Sequence, residues 1–288
     1  MTGEMRFFRG GTLMKRYILL CFLGIMILFA GTSTGGDEAF TFGNIKYPVY
    51  GNVQMDEGTV ELWVTPCFDP YEKTASNWYV RAQILSLVLM PGKEMTIAWA
   101  IKANPRDKDK GVASQIWVNF PVKGGNRLWL ATPVTVNWEQ NVPVHVAVTW
   151  KGRDCRLFIN GRKVSEVTQP GDIENEVSSD AVLYLGSKYS AVSLVVLEQL
   201  RISSIVRDEK ALAFFASGPL EPDPYTLLLD SFSSVRRLPN GLTETCAAVM
   251  AKAGGMTGGI MSAACRLVDG KTGKGVALFT QKTAEKEK

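Results

Sequence analysis

Gly58-Thr59-Val60-Glu61-Leu62-Trp63-Val64-Thr65-Pro66 reads as a β-strand with one apolar face, because Val60, Leu62 and Val64 alternate with Thr59, Glu61 and Trp63 and a period of two sends alternate side chains to opposite faces. About 80 residues later, His145-Val146-Ala147-Val148-Thr149-Trp150 alternates in the same way. The next stretch, Arg156-Leu157-Phe158-Ile159-Asn160-Gly161-Arg162, holds the strongest hairpin turn in the chain at Asn160-Gly161. Residues 83–90 form a nearly continuous apolar run, as in a strand buried on both faces. Pro91-Gly92-Lys93 turns the chain into the alternating residues 95–102. Residues 115–122 and 127–130 form a hairpin around Lys123-Gly124-Gly125-Asn126, and residues 39–42, 162–167, 181–186 and 193–203 supply further strands. Helix signals are confined to residues 209–216 and the Ala/Met-rich residues 243–253. Short strands at regular spacing with turn residues between them predict an all-β, antiparallel two-sheet sandwich.

The Glu61-Leu62-Trp63-Val64 strand, the His145 to Trp150 strand, the Leu157-Phe158-Ile159-Asn160-Gly161 hairpin and Leu183-Tyr184-Leu185-Gly186, in this order, resemble the laminin-G-like jelly-roll domains of the concanavalin A-like lectin/glucanase superfamily. The resemblance runs over residues 39–217 and closes on Leu197-Glu198-Gln199-Leu200-Arg201-Ile202-Ser203, where the usual acidic pair is replaced by Glu198-Gln199. It implies a jelly roll that presents a binding surface to polysaccharide or glycoprotein ligands. It also implies calcium held by loop oxygens, with Asp69, Asp107, Asp109, Asp154, Asp172 and Glu174 as contributors.

Ahead of this domain, Arg6, Arg9, Lys15 and Arg16 precede 14 uncharged residues, Tyr17 to Ala30, and a small-residue exit, Gly31-Thr32-Ser33-Thr34-Gly35-Gly36. That is the layout of a secretory signal peptide over residues 1–36, and the apolar run is shorter than the roughly 20 residues of a membrane span. The reading places the chain outside the cell, at its surface or in a periplasm, with membrane contact only through an uncleaved signal segment. Most of the formal net charge of +4 sits in that segment, so the domain has no electrostatic footprint for nucleic acid. Export permits disulfides among Cys67, Cys155, Cys246 and Cys265. The simplest connectivity pairs Cys67 with Cys155 and Cys246 with Cys265, and the alternative leaves free thiols as small core residues.

Residues 37–218 make the jelly-roll domain, and Pro219, Pro222 and Pro224 mark a linker. Within residues 219–288, Tyr225-Thr226-Leu227-Leu228-Leu229-Asp230-Ser231-Phe232 and residues 270–279 resemble strands of a second such module. They form a truncated repeat or a permuted piece completing the first sandwich, and an isolated strand pair is marginal in water, so docking is expected in either case.

The seven tryptophans raise the question of sugar stacking. Trp63, Trp99 and Trp150 lie on strands and read as packing residues. Trp78, Tyr79 and Trp138 fall in loops, where a large aromatic is less easily buried, and are the ligand-contact candidates. Asp172, Glu174 and Glu176 alternate like a retaining glucanase's carboxylates, but they follow Gln169-Pro170-Gly171 and read as a solvated loop. His145, the chain's one histidine, has no nucleophile motif beside it and reads as structural. The run Gly254-Gly255-Met256-Thr257-Gly258-Gly259 lacks the Lys-Ser/Thr ending of a phosphate loop. The functional expectation is a non-catalytic binding module. A structural or adhesion module with a protein partner is the alternative, and a glycoside hydrolase comes third.

Overall fold

The computed structural model describes residues 41–72, 79–103, 112–125, 127–168, 171–187, 194–250, 258–262, 264–278 and 280–281. The signal segment 1–36 lies outside the described residues.

Two antiparallel sheets face each other. Sheet I runs β10 (Arg162–Thr168), β9 (Asp154–Ile159), β8 (Val144–Lys151), β3 (Glu57–Pro66), β12 (Val195–Ser203), β13 (Thr226–Asp230), β16 (Val249–Met250). Its β12 also pairs with β19 (Lys274–Leu278), which pairs with β18 (Cys265–Asp269). Sheet II runs β14 (Val235–Arg237), β15 (Thr243–Thr245), β17 (Ile260–Met261), β2 (Asn44–Pro48), β11 (Val182–Gly186), β4 (Tyr79–Met90), β5 (Lys93–Ala103), β6 (Val112–Pro121), β7 (Arg127–Ala131). A separate pair joins β1 (Thr41–Phe42) to β20 (Thr280–Gln281).

The alternation in the sequence becomes the inner layer. Val60, Leu62 and Val64 of β3, Val146, Val148 and Trp150 of β8, and Leu157 of β9 meet Leu85, Leu87, Ile97, Trp99, Ile116 and Val118 of sheet II, all buried. Each such aliphatic side chain stabilises the fold by about 1.5–3 kcal/mol relative to exposure. The Asn160-Gly161 turn has positive φ at both residues, 49° and 77°, the conformation that matches strand twist in a two-residue hairpin. Gly161 is required a second way, since a Cβ there would lie 2.4 Å from the Cα of Ala213 on the helix α1 (Glu209–Phe215). Asp208 caps that helix, accepting from the Ala211 N–H at 2.8 Å.

Strands beyond Pro219 enter both sheets. β13 pairs with residues 200–203 of β12 and β19 pairs with residues 195–197. The two share one edge of β12 because the strand kinks between them, at Gln199 (φ 50°). β17 adds β15 and β14 to sheet II through β2. The helix expected at residues 243–253 is not formed over its described part: Thr243–Thr245 and Val249–Met250 are strands. Their β-branched residues suit a pleated surface, and pairing with β17 and β13 outweighs the helix propensity of the alanines in this stretch.

The expected disulfides are not formed, and all four thiols are free. Register puts Cys155 opposite Trp150, which lies opposite Gly58. Cys67 follows the far end of the same β3, roughly 30 Å along the strand at about 3.3 Å per residue. Cys246 follows β15 at its Thr245 end, whereas Cys265 lies by Thr243 at the other end, with its Sγ 3.2 Å from the Asn44 carbonyl.

Candidate functional site

Of the loop aromatics, Trp78 lies outside the described residues, as does the side chain of Tyr79, whose backbone opens β4. Trp138 is a core residue, not a ligand contact. It is 4% exposed, packs on Trp99 at 4.6 Å between ring centroids, and donates its indole N–H to the Ser114 carbonyl at 2.8 Å. The loop folds back over the end of the sandwich because this N–H finds a partner there. Trp63, Trp99 and Trp150 are fully buried.

The carboxylates Asp172, Glu174 and Glu176 do not share one exposed face. Glu174 is buried and 3.2 Å from Lys93 Nζ, while Asp172 and Glu176 are exposed. The solvated-loop reading fails at Glu174 because Ile173 bridges to Val122 and draws its neighbour in. Among the calcium candidates, Asp69 accepts the Tyr71 N–H and Asp154 accepts the Thr168 hydroxyl. Asp107 and Asp109 lie outside the described residues. Among the described residues no three acidic, histidine or cysteine side chains come together as a metal site.

The outer face of sheet I is roofed. On it, Glu61 Oε2 accepts from Arg201 Nε at 2.8 Å and Nη2 at 2.6 Å, with Arg207 Nε at 3.4 Å. Arg201 also donates to the Glu221 carbonyl at 2.8 Å, and Arg207 to Asp223 at 2.7 Å. The Phe215 ring lies over the Arg201 guanidinium at 3.7 Å. Helix α1 and the proline-rich residues after it are thereby clamped over the sheet. Burial pulls the Arg201 guanidinium below its ordinary pKa, against the attraction of Glu61. His145 sits here at 0% exposure, its Nε2 3.5 Å from Glu61 Oε1 and its ring 5.3 Å from Trp63. Lys271 lies over the Trp63 indole at 4.0 Å.

The outer face of sheet II has a different character. Successive registers place Trp129 (β7) opposite Asn119 (β6), Thr96 (β5), Ser86 (β4), Tyr184 (β11) and Lys46 (β2), a row on one face. Trp129 is 55% exposed. Trp117, one row over and paired with Ala131 and Ala98, meets it edge-to-face at 5.6 Å and 82°. The pair forms a propped indole platform at the edge of the sheet. On the platform's other side, Arg127, Glu94 and Asp180 line a depression of ≈ 530 Å³ with Met90 and Pro91 in its wall. Asn119 Oδ1 and Glu94 Oε1 are buried acceptors with no hydrogen-bond partner. The Ser178 hydroxyl donates to Asp180 at 2.6 Å and holds that carboxyl below its ordinary pKa.

Sequence reasoning assigned Trp117 and Trp129 to neither packing nor ligand contact. The signal was present in the hairpin strand, where Leu128 and Leu130 alternate with Arg127 and Trp129. Trp129 therefore shares its face with an arginine, the solvent side of the pleat.

No curated protein matches the chain. Among solved structures it is similar to a putative carbohydrate binding protein from Bacteroides ovatus, at 16% identity over 84% of this chain and 59% of that one (TM-score 0.47). It is also similar to domain 4 of the extracellular arabinanase AbnA from Geobacillus stearothermophilus in complex with arabinotriose, at 16% identity over 64% and 84% (TM-score 0.41). A third is the heptameric SAP-like pentraxin from Limulus polyphemus, at 11% identity over 64% and 78% (TM-score 0.40). A laminin-G family model matches residues 35–213, and with the two antiparallel sheets this establishes that the chain belongs to the concanavalin A-like lectin/glucanase superfamily.

Proposed function

We propose that the chain is an exported, non-catalytic carbohydrate-binding module that takes a polysaccharide or the glycan of a glycoprotein on the outer face of sheet II. The observation that carries this reading is Trp129, an indole 55% exposed on a strand and held upright by Trp117. Leaving so large an apolar surface in water is unfavourable, and the C–H face of a sugar ring covers it while the hydroxyls reach polar groups beside it. Thr96 and Gln115, both half-buried, supply such groups on the same face of β5 and β6. Export rests on the signal layout of residues 1–36. Among the described residues no helix is long and apolar enough to cross a membrane.

The test is a glycan array probed with the full-length chain, with calcium and with chelator, followed by titration calorimetry of the best hit against Trp129→Ala. The expected result is saturable binding with no hydrolysis products, and at least a tenfold loss in the variant, about 1.4 kcal/mol or more. A blank array from protein that melts cooperatively overturns the carbohydrate reading in favour of a protein-binding or adhesion role.

A further inference from the structure

We propose that the depression beside the Trp129 platform is a subsite for an amino-sugar unit carrying a free ammonium group; this deepens the carbohydrate reading and rests on it. Three charged groups line the depression: the Glu94 and Asp180 carboxylates and the Arg127 guanidinium. None of the three forms an ion pair with another described residue. Glu94 Oε1 has no donor at all, and Asp180 receives only neutral donors, the Ser178 hydroxyl among them. Elsewhere on this protein charged side chains that share a surface do pair, as Arg156 and Lys163 do with Glu166. Unpaired charges around a concave space are the arrangement expected where a ligand completes the pairing.

Two carboxylates against one guanidinium favour a cation over an anion. A primary ammonium donates three hydrogen bonds, which suits the Glu94 and Asp180 carboxylates together. Arg127 then donates to a hydroxyl or ring oxygen of the same unit, and Met90 and Pro91 face its apolar edge. The position fits a chain already stacked on the platform. Arg127 precedes Trp129 by two residues on β7, about 7 Å along the strand, so the next sugar unit reaches the depression. A volume of ≈ 530 Å³ lies within the usual range for a small-ligand site.

The probes are four tetrasaccharides, of glucosamine, N-acetylglucosamine, glucose and galacturonate, titrated calorimetrically into the full-length chain at about pH 5.5, where the amine is charged. The glucosamine tetramer is expected to bind about fivefold tighter than the other three, the scale of one partly exposed ion pair. That preference shrinks in high salt as screening grows, and it disappears in Glu94→Gln, whose affinities for the glucosamine and glucose tetramers converge. Asp180→Asn is the second variant should Glu94→Gln fail to fold, and it reduces the preference in the same direction. Equal affinity for the amino and neutral tetramers overturns the subsite, as does tighter binding of galacturonate or a preference that survives both variants. These failures leave Trp129→Ala still defective with the glucose tetramer. If no tetramer binds, the platform reading fails and the subsite with it.

Discussion

Removing the Arg201 side chain tests the roof over sheet I. Arg201 is 0% exposed and makes two hydrogen bonds to Glu61 Oε2, of 2.8 and 2.6 Å, and one of 2.8 Å to the Glu221 carbonyl. Arg201→Met keeps most of the apolar volume and removes the charge. It leaves a buried carboxylate with Arg207 Nε at 3.4 Å as its nearest cation. Breaking a buried pair from one side costs about 3–5 kcal/mol, and the stranded Glu221 carbonyl adds about 1 kcal/mol. Arg207 compensates in part, so the expected loss is about 3–4 kcal/mol. In a domain of this size that lowers Tm by about 10 °C. The assay is urea unfolding followed by tryptophan fluorescence, with the midpoint shift read at constant m. The double variant Glu61→Leu with Arg201→Met buries no uncompensated carboxylate and should recover most of the loss. A single-variant cost below about 1 kcal/mol would refute the reasoning, and so would a double variant whose cost equals the sum of the two singles.

Gly58→Ala places a Cβ 2.4 Å from Trp150 Cζ2, where an overpacked core loses about 1–3 kcal/mol; an unchanged urea midpoint would show that the indole moves aside freely. Asp230 is buried and accepts from Tyr47 and the Phe232 N–H, both at 2.8 Å. Burial raises its pKa above the ordinary 3.8, so the fold favours its protonated form. Its contribution is fullest below that ordinary value and is lost as pH rises through the raised one; the Tm difference between wild type and Asp230→Asn should change in that window, and a pH-independent difference refutes this. Burial also pushes the Cys155 thiol up, so a thiol reagent should reach it only on unfolding and reductant should leave Tm unchanged, whereas a Tm drop on reduction would restore the disulfide reading.

The legible part of this fold is the part written in local periodicity. Val60-Leu62-Val64, the His145 to Trp150 alternation and the Asn160-Gly161 turn each state their own structure, and all three occur where the pattern puts them. What the pattern leaves out is contact over long sequence separation. Strand β2 sits inside sheet II between β17 and β11, yet Asn44-Ile45-Lys46-Tyr47-Pro48 is short and ends in proline, so nothing local distinguishes it from a loop. The cysteine pairing failed for the same reason: sequence separation says nothing of which end of β3 each residue occupies. At the candidate site, placing aromatics by loop or strand was the wrong division. Trp138 in a loop is buried and Trp129 on a strand is exposed, and the deciding quantity was the face of the pleat.

The two outer faces explain why function is sought on sheet II. Both sheets carry aromatic and charged residues on their outer rows: Trp63, Glu61, His145 and Arg201 on one, Trp129, Asn119, Glu94 and Arg127 on the other. On sheet I Glu61 pairs with two arginines and Trp63 lies under Lys271, and although Glu61 Oε1, the Trp63 indole N–H and both His145 ring nitrogens have no hydrogen-bond partner they are closed off from solvent, because helix α1 and the residues to Asp223 lie over this face. Covering those charges from water is tolerable only where they pair, and the clamp formed by Arg201 and Arg207 meets that condition. On sheet II, Glu94 and Arg127 line the same depression without pairing, beside an indole more than half in solvent. A second molecule gains little by approaching a face whose charges are already neutralised and whose indole is covered. It gains both stacking area and hydrogen bonds at the face where neither has been used, which is the physical reason to place the ligand beside Trp129.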